Sequence, residues 1–257
     1  MGGAKRMIDM RTDAGIAVLT MTHGKANALD VEFCEALAQR FDDLRAAEAK
    51  AIVLTAQGKI FGAGVDLKRL DAGGALYVRQ FLKSLHRLYD AVFFHPKPVV
   101  MAINGHAMAG GAVLAACGDR RIMARDSGRI GVTEILVGVP FPALAFEVVR
   151  FAVPARYLPE FTLTGATYPT DAALQMGWVD EVVEPDELMP RALEAATFYA
   201  SLSAAAFAQT KAQIRQPVTE RMASSGAATE AAVTAIWAQP ASLANVAAYV
   251  AKTLKKA

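Results

Sequence analysis

No uninterrupted apolar stretch in this 257-residue chain reaches the roughly 18 residues of a membrane-spanning helix, although 54% of its residues are hydrophobic. The longest candidate, Pro98 to Cys117, is interrupted by Asn104, Gly105, His106 and paired glycines, which suit a folded turn better than a bilayer helix. Cysteine occurs twice, at Cys34 and Cys117, without CxxC spacing and within apolar helical patterns. Both read as small buried hydrophobes, and no disulfide or thiolate metal site is expected. The four histidines, His23, His86, His95 and His106, share no ligand spacing, so no metal is expected from them either. Neither sign of charge dominates: the net charge is +2, and the basic residues are scattered rather than gathered into a stripe, which gives no support for nucleic-acid binding. The one basic cluster, Lys252, Lys255 and Lys256, reads as a solvated helix end that complements the macrodipole. Met1 to Arg6 carries no signal-peptide core, which makes the cytoplasm the default expectation.

What is present is an alternation of strand and helix. Met7 to Arg11 and Ile16 to Thr22 read as a hairpin around Thr12-Asp13-Ala14-Gly15. Asp30 reads as the N-cap of a helix whose apolar residues Cys34, Leu37, Ala38, Phe41 and Leu44 recur at three and four. Ala51 to Thr55 is a strand, Val78 to Val92 a long amphipathic helix ended by Pro96 and Pro98, Val99 to Ile103 a strand, and Gly111 to Cys117 a short buried helix. Arg121 to Ala124 and Val179 to Val183 are further strands, Pro142 to Phe151 a helix, and Thr170 caps another that Gly177 closes. Such alternation predicts an α/β architecture with mostly parallel strands and right-handed crossovers. From about Glu187 the strand signal disappears into alanine-rich helices, Leu188 to Ser201, Ala204 to Arg215, Thr219 to Ala238 and Leu243 to Lys255. With little bulk to bury, this tail is expected to pack on its own core or on a neighbouring subunit.

Chemistry concentrates in two glycine-bearing turns about forty residues apart, Phe61-Gly62-Ala63-Gly64-Val65-Asp66-Leu67 and Asn104-Gly105-His106-Ala107-Met108-Ala109-Gly110-Gly111. Each follows a short apolar run readable as a buried strand, and together they can aim two backbone N–H groups at one oxygen. That is the layout of an oxyanion hole, in which each donor is worth about a hundredfold to a thousandfold in rate. Downstream, Glu134 is the only formally charged residue between Arg129 and Glu147, set in Ile130-Gly131-Val132-Thr133-Glu134-Ile135-Leu136-Val137-Gly138. Burial among Val132, Ile135, Leu136 and Val137 would raise its pKa and make it a proton carrier. His106 reads as a hydrogen-bonded structural histidine, and Asp66 as a helix cap. Tyr77, Phe81, Tyr89, Phe93 and Phe94 read as core or acyl-pocket lining.

At these motifs the chain resembles the crotonase family, also called the enoyl-CoA hydratase/isomerase superfamily. The resemblance runs through Asn27-Ala28-Leu29-Asp30, Phe61 to Leu67, Asn104 to Gly111, Asp119 to Ala124, Gly131 to Gly138, Leu163-Thr164-Gly165, Ala172 to Val183 and Thr210-Lys211, in the family's order and spacing. Any one glycine motif is weak, whereas eight in register are specific. The resemblance implies a crotonase (ClpP/crotonase-like) ββα spiral core over residues 1–190 and an all-helical C-terminal region, residues 191–257, that builds homotrimers or hexamers of paired trimers. It implies an acyl-CoA thioester substrate, with coenzyme A entering as part of that substrate and no permanently bound cofactor. By position, the oxyanion donors are the N–H groups of Val65 and Gly110, and Lys25, Ala26, Ala28, Ala63, Asp66 and Leu67 lie along the CoA. Lys211 reads either as a ligand of a CoA phosphate or as a solvated lysine.

One departure bears on the reaction. Hydratases of the family carry a second glutamate three residues after the second oxyanion glycine, where this chain has Val113. Hydration needs one carboxylate for water and another acid or base for the α-proton, so it is expected to be very poor. A single glutamate at the position of Glu134 resembles the Δ3,Δ2-enoyl-CoA isomerases of the family, and Gly138-Val139-Pro140-Phe141-Pro142 is more isomerase-like as well. The alternatives are another enolate reaction (hydratase, thioester hydrolase, decarboxylase or lyase) or a catalytically idle acyl-CoA-binding scaffold.

Overall fold

The computed structural model describes residues 7–253. The readings made on Met1 to Arg6 and on Lys255 and Lys256 lie outside the described residues. The chain opens with the expected hairpin, β1 (Ile8–Asp13) antiparallel to β2 (Ile16–Met21). Helix α1 (Val31–Ala46) follows, started by Asp30, whose carboxylate accepts from the Phe33 N–H at 2.8 Å.

Three ββα turns then repeat. The first is β3 (Ala51–Ala56), β4 (Ile60–Gly62) and α2 (Leu67–Phe93); the second is β5 (Val99–Ile103), β6 (His106–Met108) and α3 (Gly110–Ala116); the third is β7 (Arg120–Ala124), β8 (Arg129–Gly131) and α4 (Glu134–Val137). In each turn the first strand joins a six-stranded sheet, ordered β1-β2-β3-β5-β7-β10, and the second joins a four-stranded sheet, ordered β4-β6-β8-β9. Helices α5 (Ala143–Ala152) and α6 (Leu158–Leu163) lead to β9 (Tyr168–Pro169), α7 (Thr170–Met176) and β10 (Glu181–Val183), which close the two sheets. The tail is α8 (Leu188–Ala200), α9 (Ala204–Arg221), α10 (Ala227–Trp237) and α11 (Pro240–Thr253).

The large sheet is covered on both faces, which is why its inner strands read as continuous apolar runs: every residue of Val99–Ile103 is buried. Alternate residues diverge. Ala17, Leu19, Ile52 and Leu54 enter the main core, whereas Ile16, Val18, Ala51 and Val53 meet Leu188, Ala192 and Ala196 of α8. Helices α10 and α11 fold back over α2, and α11 also reaches α4, so the tail packs on its own core in the described residues.

Several local expectations need correction. Pro217 does not separate two helices: α9 runs through it, and a π-helical segment, Met222–Gly226, joins α9 to α10. Pro217 removes the hydrogen bond to the Gln213 carbonyl, but both residues are exposed, so water can replace it. Thr170 is the first residue of α7 and no cap; its hydroxyl accepts from the Asp126 N–H at 3.4 Å instead. Strand β10 starts at Glu181 because Trp178 and Val179 are still bonded to the Ala173 carbonyl at the left-handed Gly177 end of α7.

Lys211 is not a solvated lysine. Its ammonium is buried and bonds Asp119 at 2.6 Å, while Arg215 bonds the other oxygen of the same carboxylate at 2.7 Å. Asp119 also accepts from the Val99 N–H at 2.8 Å, so one partly buried carboxylate locks α9 to the start of β5. Burial pushes the Lys211 pKa down to about 8 against the pull of Asp119. Replacing Asp119 by Ala strands two buried cations; equilibrium urea unfolding of the variant is expected to show a loss of about 3–5 kcal/mol.

Candidate active site

The two glycine turns touch main chain to main chain. A Cβ on Gly111 would lie 2.2 Å from the Gly62 carbonyl oxygen, and one on Gly62 would lie 3.1 Å from the Gly111 Cα. Next to this pair, Gly64 has φ +81°, and a Cβ there would lie 2.7 Å from the Ala109 Cβ and 3.2 Å from the Gly110 nitrogen. Glycine is therefore required at these places by contact, and at Gly64 also by conformation.

Each turn is pinned from behind. Leu29 donates its N–H to Gly64 at 2.7 Å and accepts from the Asp66 N–H at 2.9 Å, which brackets Val65. The Asn27-Ala28-Leu29-Asp30 segment holds this bracket: buried Asn27 adopts φ 47°, donates to the Ile60 carbonyl at 2.9 Å and accepts from the His23 N–H at 2.8 Å. Asp66 caps α2 by accepting from Lys68 and Arg69, as expected. In the second turn, Ala109 stands at φ 49°, ψ −124°, a conformation that costs of order 1–3 kcal/mol in a non-glycine residue. Its N–H bonds the Gly131 carbonyl at 2.8 Å, and the Tyr89 hydroxyl donates to the Gly110 carbonyl at 3.0 Å. Among the described residues, neither the Val65 nor the Gly110 N–H donates to a backbone or side-chain acceptor.

Glu134 begins α4 just after β8, so the Ala109–Gly131 bond links its strand directly to the second turn. The carboxylate is buried, and its Oε2 meets no hydrogen-bond partner among the described residues. Burial pushes its pKa up from 4.5 to about 7, partly offset by the N–H groups of Glu134 and Thr133. Left-handed Gly138, at φ 80°, ends α4 and turns the chain back over it.

Glu134 and Val65 open on one cavity of about 420 Å³. Ala26, Ala28, Ala63, Asp66 and Leu67 line it too, as does Ala109, the neighbour of Gly110. Lys25 is exposed and outside this wall. Asp66 caps α2 through one oxygen and is only half-buried, so Glu134 is the one buried carboxylate lining the cavity. Val113 is fully buried in α3 and belongs to the main core. His106 is exposed and accepts from the Arg129 N–H at 3.2 Å, in keeping with a structural role. Cys34 and Cys117 are free and buried, and Phe81, Tyr89 and Phe93 are core.

Several lining residues were not foreseen from the sequence: Met108, Val137, Val139, Trp237 and Tyr249. The last two arrive from the tail, where nothing in an alanine-rich helix says which residue will meet a site about a hundred positions earlier. The Trp237 indole N–H donates to the Pro140 carbonyl at 2.7 Å, which fixes α10 over the cavity.

A ββα spiral in which two glycine turns and a buried carboxylate share a cavity is a crotonase-type fold. The chain belongs to the enoyl-CoA hydratase/isomerase family, whose description its residues 11–253 match. It is 36% identical over 172 residues, 65% of this chain and 67% of the relative, to a putative enoyl-CoA hydratase of Thermus thermophilus. An apo structure of a Mycobacterium tuberculosis enoyl-CoA isomerase is 31% identical, with a TM-score of 0.77 over 94% of this chain and 98% of that one. The human mitochondrial Δ3,Δ2-enoyl-CoA isomerase, at 23% identity, shares the fold with a TM-score of 0.92 over 98% of this chain and 99% of that one.

Because Glu134 holds its proton more tightly in the folded state, its ionisation opposes folding. Stability from this group is present below about pH 4.5 and is lost as pH rises to about 7, by of order 3 kcal/mol. Thermal melts across pH 4 to 8 are expected to show Glu134→Gln gaining on the wild type as pH rises through that window.

Proposed function

We propose that this enzyme is a Δ3,Δ2-enoyl-CoA isomerase that moves a double bond with Glu134 as its single proton carrier. The observation that carries the reading is the buried Glu134 carboxylate, one oxygen of which meets no hydrogen-bond partner among the described residues, in a cavity wall with no second buried carboxylate. Val113, where the family's hydratases have their other glutamate, supplies no group to activate water.

In this reading the thioester carbonyl oxygen sits against the N–H groups of Val65 and Gly110. Ionised Glu134 removes a proton from C2 of a 3-enoyl-CoA, and the charge spreads into a dienolate whose oxygen those two donors stabilise. Protonated Glu134 then returns the proton at C4, and the double bond is left between C2 and C3. A pKa near 7 suits both halves, since the same group must be a base first and an acid second. Dry surroundings keep the proton from exchanging with water. The CoA moiety lies along Ala26, Ala28, Ala63, Asp66 and Leu67, with Lys25 at the outer edge. Assembly as a trimer or hexamer through residues 191–257 completes the proposal on the resemblance alone.

Incubation with a 3-enoyl-CoA is expected to yield the conjugated 2-enoyl-CoA, followed by its ultraviolet absorbance, with little hydration of added 2-enoyl-CoA. Glu134→Gln is expected to lower kcat by about 10²–10⁴, and the wild-type rate to climb with pH up to about 7 as the base ionises. Hydroxyacyl-CoA as the main product would refute the reading in favour of a hydratase, and unaltered acyl-CoA binding without turnover in either variant would favour an idle binder. Gly64→Ala, which drives a methyl group towards Ala109 and Gly110, is expected to cost at least tenfold in kcat/KM.

A further inference from the structure

The cavity that holds Glu134 has a neighbour. A second chamber of about 520 Å³ lies beyond Val139, and Val139 lines both. Helix α10 runs alongside the two, with Val233 facing the second chamber and Trp237, one turn later, facing the first. Val139 is the residue common to both walls, and the carbonyl of the adjacent Pro140 is held by the Trp237 indole N–H at 2.7 Å. The second chamber is lined largely by hydrocarbon, including Ile135, Phe141, Phe146 and Val233. The charges at its rim are spent on one another, since Glu147 pairs with both Arg150 and Arg221. Such a largely apolar space suits an alkyl chain.

We propose that Val139, braced by the Trp237–Pro140 hydrogen bond, is the stop that sets acyl-chain length, and that the second chamber is a closed-off extension of the acyl site. The inference rests on the reading of the first cavity as the acyl-CoA site. With the CoA along Ala26 and Ala63, the acyl tail heads for Val137, Val139 and Trp237. At about 420 Å³ the first chamber is near the small end of ligand cavities, and it must also take the thioester. Short to medium acyl groups are thus the substrates, and each methylene that finds room there tightens binding about fourfold.

The test is calorimetric titration with saturated butanoyl-, octanoyl-, dodecanoyl- and hexadecanoyl-CoA, which cannot undergo a double-bond shift. Wild-type affinity is expected to rise to octanoyl-CoA and to gain little beyond it. Val139→Ala is expected to raise the ratio of dodecanoyl- to butanoyl-CoA affinity by about tenfold or more, and Trp237→Phe, which keeps the ring but deletes the N–H, to raise it less. A wild-type affinity that climbs steadily through hexadecanoyl-CoA overturns the proposal, as does a Val139→Ala profile that superimposes on the wild type. Failure of the isomerase reading would leave these profiles unchanged, whereas absence of binding by every probe overturns the stop together with the acyl-CoA site.

Discussion

Two stretches of main chain touch where side chains ordinarily keep backbones apart. Gly62 against Gly111, and Gly64 against Ala109 and Gly110, bring the ends of β4 and β6 into direct contact. A single methyl group at Gly111 would sit 2.2 Å from a carbonyl oxygen, well inside any tolerable distance. The rest of the site follows from this contact. It sets Val65 and Ala109, the neighbour of Gly110, in the wall of one cavity, and the Ala109–Gly131 bond carries the same register on to the strand that presents Glu134.

Buried charge is handled in two opposite ways in this molecule. Asp119 is answered twice over, by Lys211 and Arg215, and its role is to fix α9 against the sheet. Glu134 is left with one oxygen without a partner, and burial keeps its proton on to about pH 7. An answered carboxylate holds structure together, whereas an unanswered one costs stability and gains proton affinity. Asp66 shows the intermediate case: it lies in the cavity wall, yet the N–H groups of Lys68 and Arg69 occupy it. That contrast, rather than position in the wall, separates a proton carrier from a cap.

Much of the fold was legible because its signals are local. The hairpin at Ala14 and Gly15, the Asp30 cap and the buried run Val99–Ile103 each declare themselves within a few residues. The glycine turns were legible too, since each directly follows a short apolar run. The break expected between Arg215 and Thr219 is absent because the cost of Pro217 inside the helix depends on whether water can reach the carbonyl left without a donor. Lys211 misled for a related reason: its fate was decided by Asp119, ninety-two positions earlier in the chain, and no pattern around Lys211 reports that.

The order of residues by itself determined the alternating architecture and the two glycine turns, since each depends on short-range chemistry: backbone freedom and strand and helix periodicity. Tertiary structure alone decided how far the pKa moves, which carboxylates are occupied, and that Trp237 and Tyr249 close the cavity. Those outcomes depend on distances between segments, and such distances exist only once the helical tail has folded back across α2 and α4.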